Sequence, residues 1–475
     1  MSHLVFTDSF INGEFYKTDT RFSVDDPATE KSIVEVSDID KQGVKNAIDA
    51  AKGAFVKLKA TNATSRSETL MRWYELVIEH KQTLAELMTK EQGKPLKESL
   101  GEVEYGAGFI KWFAEQAKRS YGDVIPPTDD QHRLTSFKQP IGVVAGITPW
   151  NFPIAMVTRK VAPAYAAGCS FVLKPSEHTP LCALALAYLA DQAGFEKGAF
   201  NVLVSENAKM VGELLTESQH VRKFTFTGST GVGKQLLSQC ASTIKRTSME
   251  LGGNAPFIIF DNADLDEAVT GLMGAKFRNA GQTCVAANRI FVQRGVLDEV
   301  VKKLNEKVAT LKVADGFTDS CDIGPLIYAK AKQKVLELLR DAKQKGATQI
   351  NDANELGGNF QAPVILTGVT PEMDIYHQEV FGPVVSIIAF DEEAEVLALA
   401  NDVPYGLAAY FYSQDIKQIY RVSEALEYGM VGINEGLISN PVAPFGGVKQ
   451  SGLGREGGHQ GLDEYLEEKY VCMKI

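Results

Sequence analysis

Cys284 closes the run Phe277-Arg278-Asn279-Ala280-Gly281-Gln282-Thr283-Cys284, a polar, glycine-containing stretch that begins where a helical pattern stops. A thiol on such a loop can meet a substrate, and its thiolate is a strong nucleophile. The chain has six cysteines, and an intracellular cysteine is otherwise a small buried hydrophobe, so the surrounding chemistry must decide. Met249-Glu250-Leu251-Gly252-Gly253 sets a carboxylate at a strand end beside two glycines. In a mostly apolar cleft such a carboxylate has a raised pKa and can act as a general base. Thr148-Pro149-Trp150-Asn151-Phe152-Pro153 holds Asn151 in a turn stiffened by two prolines. Its amide could donate to an oxyanion or simply satisfy the turn's own backbone. Thr227-Gly228-Ser229-Thr230-Gly231-Val232-Gly233 follows a strand and opens a helix, a place where backbone N–H groups can approach a phosphate. The spacing is not G-x-G-x-x-G, and glycine in a βα turn is often only a turn. Lys174-Pro175-Ser176-Glu177 could grip ribose hydroxyls or form an exposed ion pair.

Positioning these groups requires strands that end where they sit. IGVVAGI (141–147), SFVLK (170–174), FNVLV (200–204) and KFTFTG (223–228) are apolar strands, with helices at 179–193 and 207–217 between them. This βα order predicts a parallel sheet covered by helices on both faces, with ligands beyond the carboxyl ends of its strands. A second series follows Gly252-Gly253: PFIIF (256–260), a helix opened by Asp264, then RIFVQ (289–293), VVSIIAF (384–390), AAYFY (408–412) and MVGIN (430–434). Ahead of both series, apolar residues at helical spacing predict helices at 41–58, 66–90 and about 98–118, with Gly93 and Pro95 ending the second. A lone strand at 134–140 and a terminal strand in EYLEEKYVCMKI read as edges seeking another subunit.

At 475 residues the chain exceeds one hydrophobic core, so two or more domains are expected. Its net charge of −11, with basic residues dispersed, argues against nucleic acid. No apolar run is long enough to cross a bilayer, and the N-terminus lacks signal or transit features, so a cytosolic protein is expected. The cysteines have no paired spacing, and no C-x-x-C or H-x-x-x-H occurs, so free thiols and no metal site are expected.

TPWNFP, LKPSE, FTGST, MELGG, NAGQTC, EVFGP and PFGGVKQSGLGREG occur in the order found in the NAD(P)-dependent aldehyde dehydrogenase superfamily, which the chain resembles from about residue 10 to its end. ELGGNAPFI, KFRNAGQTCV, YGMVGINEGLISN and APFGGVKQSGLGREG make it most similar to the succinate-semialdehyde dehydrogenase branch. The resemblance implies an α/β, aldehyde dehydrogenase-like fold. Its parts would be a Rossmann-like cofactor domain (1–118 and 141–252), a catalytic domain (253–450) and oligomerisation strands (119–140 and 451–475), assembled as a homodimer or homotetramer. By motif, Cys284 would be the nucleophile, Glu250 the base, and Asn151 with the Cys284 N–H the oxyanion donors. Lys174 and Glu177 would contact the adenosine ribose, Gly228, Ser229 and Gly233 the pyrophosphate, and Glu379 and Phe381 the nicotinamide ribose. Trp150 and Leu251 would lie beside the cofactor. Arg159, Arg278 and Ser439 would hold a substrate carboxylate. The implied reaction runs from thiolate attack through a thiohemiacetal and hydride loss to a thioester, which water activated by Glu250 cleaves.

Three positions refine this. Glu177 would accept from a ribose 2′-hydroxyl and repel a 2′-phosphate, which favours NAD over NADP. Ala286 stands where some succinate-semialdehyde enzymes carry a second cysteine, so no adjacent disulfide switch is expected. Gln378-Glu379-Val380 replaces a Glu-Glu-Thr common in similar proteins while keeping Glu379. The competing readings are glutarate semialdehyde or an uncharged aldehyde as substrate, and a non-catalytic binding or structural protein on this scaffold. Retention of Cys284, Glu250 and Asn151 argues against the last, and Glu250 argues against an acyl-CoA-forming enzyme.

Overall fold

Runs of β-branched and aromatic residues flanked by glycine-rich turns form the strands that the sequence predicts. The computed structural model describes residues 4–475. Five parallel strands, Val143–Ile147, Ser170–Lys174, Phe200–Val202, Val221–Thr227 and Arg246–Glu250, make the centre of an eight-stranded sheet. Val143–Ile147 lies between Ser170–Lys174 on one side and Val221–Thr227 on the other. The chain order therefore reverses beside it, which opens a crevice at the carboxyl ends of these strands. The loops that fill this crevice start at Thr148 and Gly228.

The sheet is mixed rather than wholly parallel. Ser9–Ile11 and Glu14–Tyr16 form an antiparallel hairpin on one edge, and Gly452–Leu453 pairs antiparallel with Arg246–Glu250 on the other. Asn12 (φ 54°) and Gly13 (φ 78°) make the hairpin turn, where both residues must adopt positive φ. A second hairpin, Arg21–Asp26 with Lys31–Ser37, follows.

The second sheet has seven strands in the order Thr348–Gln349, Val364–Thr367, Val384–Phe390, Ala287–Gln293, Ala255–Ile259, Ala408–Tyr412, Met430–Ile433. All its pairings are parallel except the first. Residues 252–254, 284–286 and 379–383 lead into the amino ends of its strands. The two sheets thus present opposite strand ends to one site, carboxyl ends from the first and amino ends from the second.

The helix Lys41–Leu58 matches its predicted span and is capped by the Asp40 side chain, which accepts from the Gly43 N–H. The span 66–90 is two helices, Ala63–Glu79 and Lys81–Gln92, broken at His80. Leu70, Trp73, Val77, Leu84 and Leu87 stay buried through the break, so the apolar stripe hides it. Glu79-His80-Lys81-Gln82 supplies no apolar side chain to hold a continuous turn. Gly93 (φ 91°) ends the second helix, and Pro95 precedes the next, Leu96–Gln116.

The two expected edge strands pair with each other inside the chain. Leu466–Lys474 runs antiparallel to His132–Pro140 along its whole length, and Val124–Ile125 adds on the far side. Leu466–Lys474 keeps one open edge, beside exposed Tyr470 and Met473. Among the described residues, no helix is long and apolar enough to cross a membrane.

Candidate active site

A cavity of about 230 Å³ lies where the two sheets meet, lined by Trp150, Asn151, Met156, Gly228, Ser229, Glu250, Leu251, Gly252, Cys284, Glu379 and Phe381, with Pro149 and Thr227. Segments far apart in the chain thus bring together the three catalytic candidates and six of the cofactor candidates.

Cys284 is reached through a tight turn. The helix Leu265–Phe277 stops at Arg278, and Asn279 (φ 51°) and Ala280 (φ 56°) both take left-handed backbone. That strain is held by hydrogen bonds. Asn279 N donates to Glu98 Oε2 (2.8 Å), and the Asn279 side chain accepts from Gln92 Nε2 (3.0 Å) and donates to the Asn151 carbonyl (2.9 Å). Gln282 anchors the turn from the other side, because its Oε1 accepts from Ile327 N (3.0 Å). Tyr410 Oη donates to the Val285 carbonyl (2.8 Å) just beyond the thiol.

Cys284 is half-buried, and its thiol is pushed up to about 12. Burial is the main cause, Glu379 and Glu250 add to it, and Arg159 and Arg278 oppose it. The resting side chain is therefore a protonated thiol, with two cations able to stabilise its thiolate.

Asn151 Nδ2 donates to the Gln282 carbonyl (3.0 Å), two residues before the thiol. A primary amide has a second N–H, which is left for a reacting oxygen. The Asn151 carbonyl accepts from Lys94 Nζ (2.7 Å), and this ammonium is also paired with Glu102 in a bridge whose side chains are each 1% exposed. The other Glu102 oxygen accepts from Ile154 N and Ala155 N (3.0 and 3.3 Å) at the start of the helix Ala155–Ala167. Lys94 and Glu102 thus fix the Asn151 loop from behind. The GKP tripeptide at 93–95 marks this place in the sequence, but nothing there announces the ion pair.

Glu250 ends the strand Arg246–Glu250, and both its carboxylate oxygens are buried without a hydrogen-bond partner. Burial, then the charge of Glu456, holds this carboxyl well above the usual range, while Lys160, Arg159 and Arg455 pull the other way. Glu456 pairs with Lys160 and lies 3.5 Å from Arg159 Nε. Sequence reasoning missed Lys160 and Glu456. They are separated by 296 residues, and only the packing of the glycine-rich tail against the Arg246–Glu250 strand joins them.

The residues around the cavity fit a dinucleotide. The helix Thr230–Cys240 begins at the cavity, its N-cap Ser229 makes no side-chain cap, and the hydroxyls of Thr227 and Thr230 are buried without partners. Space is open beside Gly231, whereas a Cβ on Gly233 would stand 2.4 Å from Leu251 Cδ2. Free N–H groups at such an N-terminus suit a phosphate. Lys174, at the end of Ser170–Lys174, bonds Glu177 at 2.9 Å. Burial would raise the Glu177 carboxyl, but this ammonium and hydrogen bonding hold it below its usual value. Trp150 packs edge-on against Phe381 (5.5 Å between ring centroids) and Tyr328 (6.3 Å), and Tyr328 meets His178 (4.9 Å). Aromatic rings thus run from the cavity to the residue beside Glu177. Glu379 Oε1 accepts from Gly253 N (3.3 Å).

Arg159, Arg278 and Ser439 do not line this cavity. Arg159 is buried in Ala155–Ala167, donates to Tyr105 Oη (2.7 Å), and lies against the rings of Phe445 (4.4 Å) and Phe109 (4.8 Å). Arg278 is half-buried over Phe152 (5.2 Å), and its Nε has no partner. Ser439 is half-buried in the loop after Met430–Ile433. Arg159 and Arg278 both favour the charged form of Cys284, and among the described residues no side-chain hydrogen bond ties Ser439 to either arginine.

Residues 15–471 match the model of the aldehyde dehydrogenase family. The chain is 52% identical to the succinate-semialdehyde dehydrogenase [NADP(+)] GabD of Escherichia coli K12, covering 100% of this chain and 99% of that one. It is 51% identical to a glutarate-semialdehyde dehydrogenase of Pseudomonas putida KT2440, covering 98% of each. It is also 52% identical to a 3-sulfolactaldehyde dehydrogenase of Pseudomonas putida, covering 98% of this chain and 96% of that one. The crystal structure of a succinate-semialdehyde dehydrogenase from Burkholderia pseudomallei superposes with a TM-score of 0.98 at 49% identity, over 99% of this chain and 98% of that one. With full-length agreement in sequence and fold, and a thiol, a buried carboxylate and an amide donor around one cavity, the chain belongs to the aldehyde dehydrogenase family and is an NAD(P)-dependent enzyme.

Proposed function

We propose that the enzyme oxidises succinate semialdehyde, or a similar carboxylate-bearing aldehyde, to the acid with NAD. The observation that carries this reading is Arg278, half-buried over the Phe152 ring (5.2 Å) with its Nε unpartnered in the turn that leads to Cys284; Arg159 is the second candidate cation. A guanidinium offers a planar fork suited to a carboxylate. Arg278 is the freer of the two, because Arg159 is already engaged by Tyr105 and Glu456. Glutarate semialdehyde is a second reading, since one methylene changes discrimination by only about 1–3 kcal/mol and a relative of that name is equally similar. The same cations would suit a sulfonate.

In this mechanism Cys284 attacks the aldehyde carbon as a thiolate, favoured by Arg159 and Arg278. Asn151 and the Cys284 N–H hold the oxyanion, and one such donor contributes about 3–4 kcal/mol. Bound NAD supplies the acceptor for the hydride that leaves the thiohemiacetal. Glu250, once ionised, takes a proton from water at the thioester. Lys160 and Glu456 keep a balanced charge beside it. Trp150, Leu251 and Phe381 would exclude water and bracket the cofactor, and Lys174 with Glu177 would hold its ribose.

Glu177 favours NAD because it would repel a 2′-phosphate, although the Escherichia coli relative is named for NADP. Segments 1–118 with 141–252, 253–450, and 119–140 with 451–475 are our proposed functional units, and Gly452–Leu453 lends its strand to the first of them. The open edge of Leu466–Lys474 supports a homodimer or homotetramer. The test is cofactor reduction across an aldehyde series with and without the terminal carboxylate. Activity confined to uncharged aldehydes would remove the proposed substrate class.

A further inference from the structure

Lys276, in the last turn of the helix Leu265–Phe277, has none of its surface exposed, and no step above uses it. A buried ammonium is costly unless another charge offsets it. Its Nζ donates to Asn288 Oδ1 (3.0 Å) and to the Val380 carbonyl (3.4 Å), both neutral. Among the described residues, the one carboxylate whose charge acts on it is Glu379, the neighbour of Val380 in sequence. Burial pulls Lys276 down to about 7 against the effect of Glu379. Burial likewise pushes Glu379 up to about 7, against the Gly253 N–H and Lys276. Cys284 and Tyr405 are the other titratable groups that feel Glu379. Glu379 Oε2 lies over Gly252, its Oε1 accepts from Gly253 N, and Lys334 Nζ donates to Oε1 of the adjacent Gln378 (2.6 Å).

We propose that Lys276 is a positioning residue for the cofactor. It ties the 378–381 segment through the Val380 carbonyl to the end of the helix that precedes the Cys284 turn, and it keeps Glu379 a carboxylate able to accept from ribose hydroxyls. This rests on the reading of Glu379 as the nicotinamide-ribose acceptor. A carboxylate accepts at both oxygens, whereas a neutral carboxyl spends one on its own O–H. Removing Lys276 therefore raises the Glu379 midpoint. Cofactor affinity then falls near neutral pH and returns as pH rises and Glu379 ionises.

The experiment is fluorescence titration of NADH binding from about pH 6 to pH 9 with the wild type, Lys276→Met, Asn288→Asp and Glu379→Gln. Asn288→Asp gives the ammonium a nearer carboxylate while keeping the lysine, so it tests the electrostatics if Lys276→Met does not fold. Lys276→Met should weaken NADH roughly tenfold near pH 7 for each unit of midpoint shift, with the loss shrinking toward pH 9. Asn288→Asp should act in the same direction. Glu379→Gln should weaken NADH at all pH values and flatten the profile. A loss in Lys276→Met that is independent of pH would make the lysine merely structural and overturn the inference. So would unchanged binding in both lysine-site variants while Glu379→Gln binds weakly. Unchanged binding in Glu379→Gln would instead overturn the ribose reading beneath it.

Discussion

The Cys284 thiol and the Glu250 carboxyl are both pushed above their usual ranges, because each is buried among groups that disfavour its charge. Two consequences can be measured. Alkylation of Cys284 by iodoacetamide should be slow at neutral pH and rise about tenfold per pH unit up to about pH 11. Arg278→Ala removes a cation that favours the thiolate, so it should slow alkylation further, and an unchanged rate would contradict the assigned coupling. For Glu250 the sign is set by its raised pKa. Its base form gains population over a higher pH range than that of an ordinary carboxylate, so deacylation should quicken as pH rises. Glu250→Gln should abolish that limb and leave an acyl-enzyme visible by mass spectrometry, and unchanged turnover without a trapped adduct would refute the role. At this scale the candidates were legible, because each sits in a short run whose residue types limit its chemistry. Lys160, Glu456 and Tyr105 were not legible, since their partners lie 54 to 296 residues away in sequence and only packing brings them near.

The loops are held by a few buried polar links between elements. Lys94 and Glu102 fasten the end of Lys81–Gln92 and the helix Leu96–Gln116 to the Asn151 loop and the start of Ala155–Ala167. Lys94→Met leaves Glu102 buried without its counter-charge, so about 3–5 kcal/mol of stability should be lost in denaturant unfolding. Adding Glu102→Gln should recover part of it, because the uncompensated charge is gone. A loss below about 1 kcal/mol in the single variant would place the pair among weak surface bridges. The strands were legible here because apolar runs of four to seven residues between turn signals have few alternatives. Asn12-Gly13 is a strong hairpin signal, but the strands it joins are three residues each, too short to show an alternating pattern. The break at His80 had no glycine or proline to announce it.

Across the whole molecule, the site exists because carboxyl ends of one sheet face amino ends of another. The rule that ligands gather at carboxyl ends therefore covers Asn151, Gly228 and Glu250. It leaves out Cys284, Glu379 and Phe381, which enter from the amino ends of Ala287–Gln293 and Val384–Phe390. Sequence periodicity reports each strand's burial, not which sheets meet, so this arrangement was beyond its reach. The same limit applies to association. The two edge strands were visible, but their mutual pairing was not, and light scattering should find two or four chains per particle rather than one.

The substrate claim concerns the charge at the far end of the aldehyde. Its most direct test is kcat/KM for NAD reduction with succinate semialdehyde against butanal, which has the same carbon count and no carboxylate. A charge-assisted clamp worth about 3 kcal/mol predicts a preference of roughly a hundredfold for the semialdehyde, largely lost in Arg278→Ala. Equal kcat/KM for the two aldehydes in the wild type, or equal losses for both in Arg278→Ala, would contradict it.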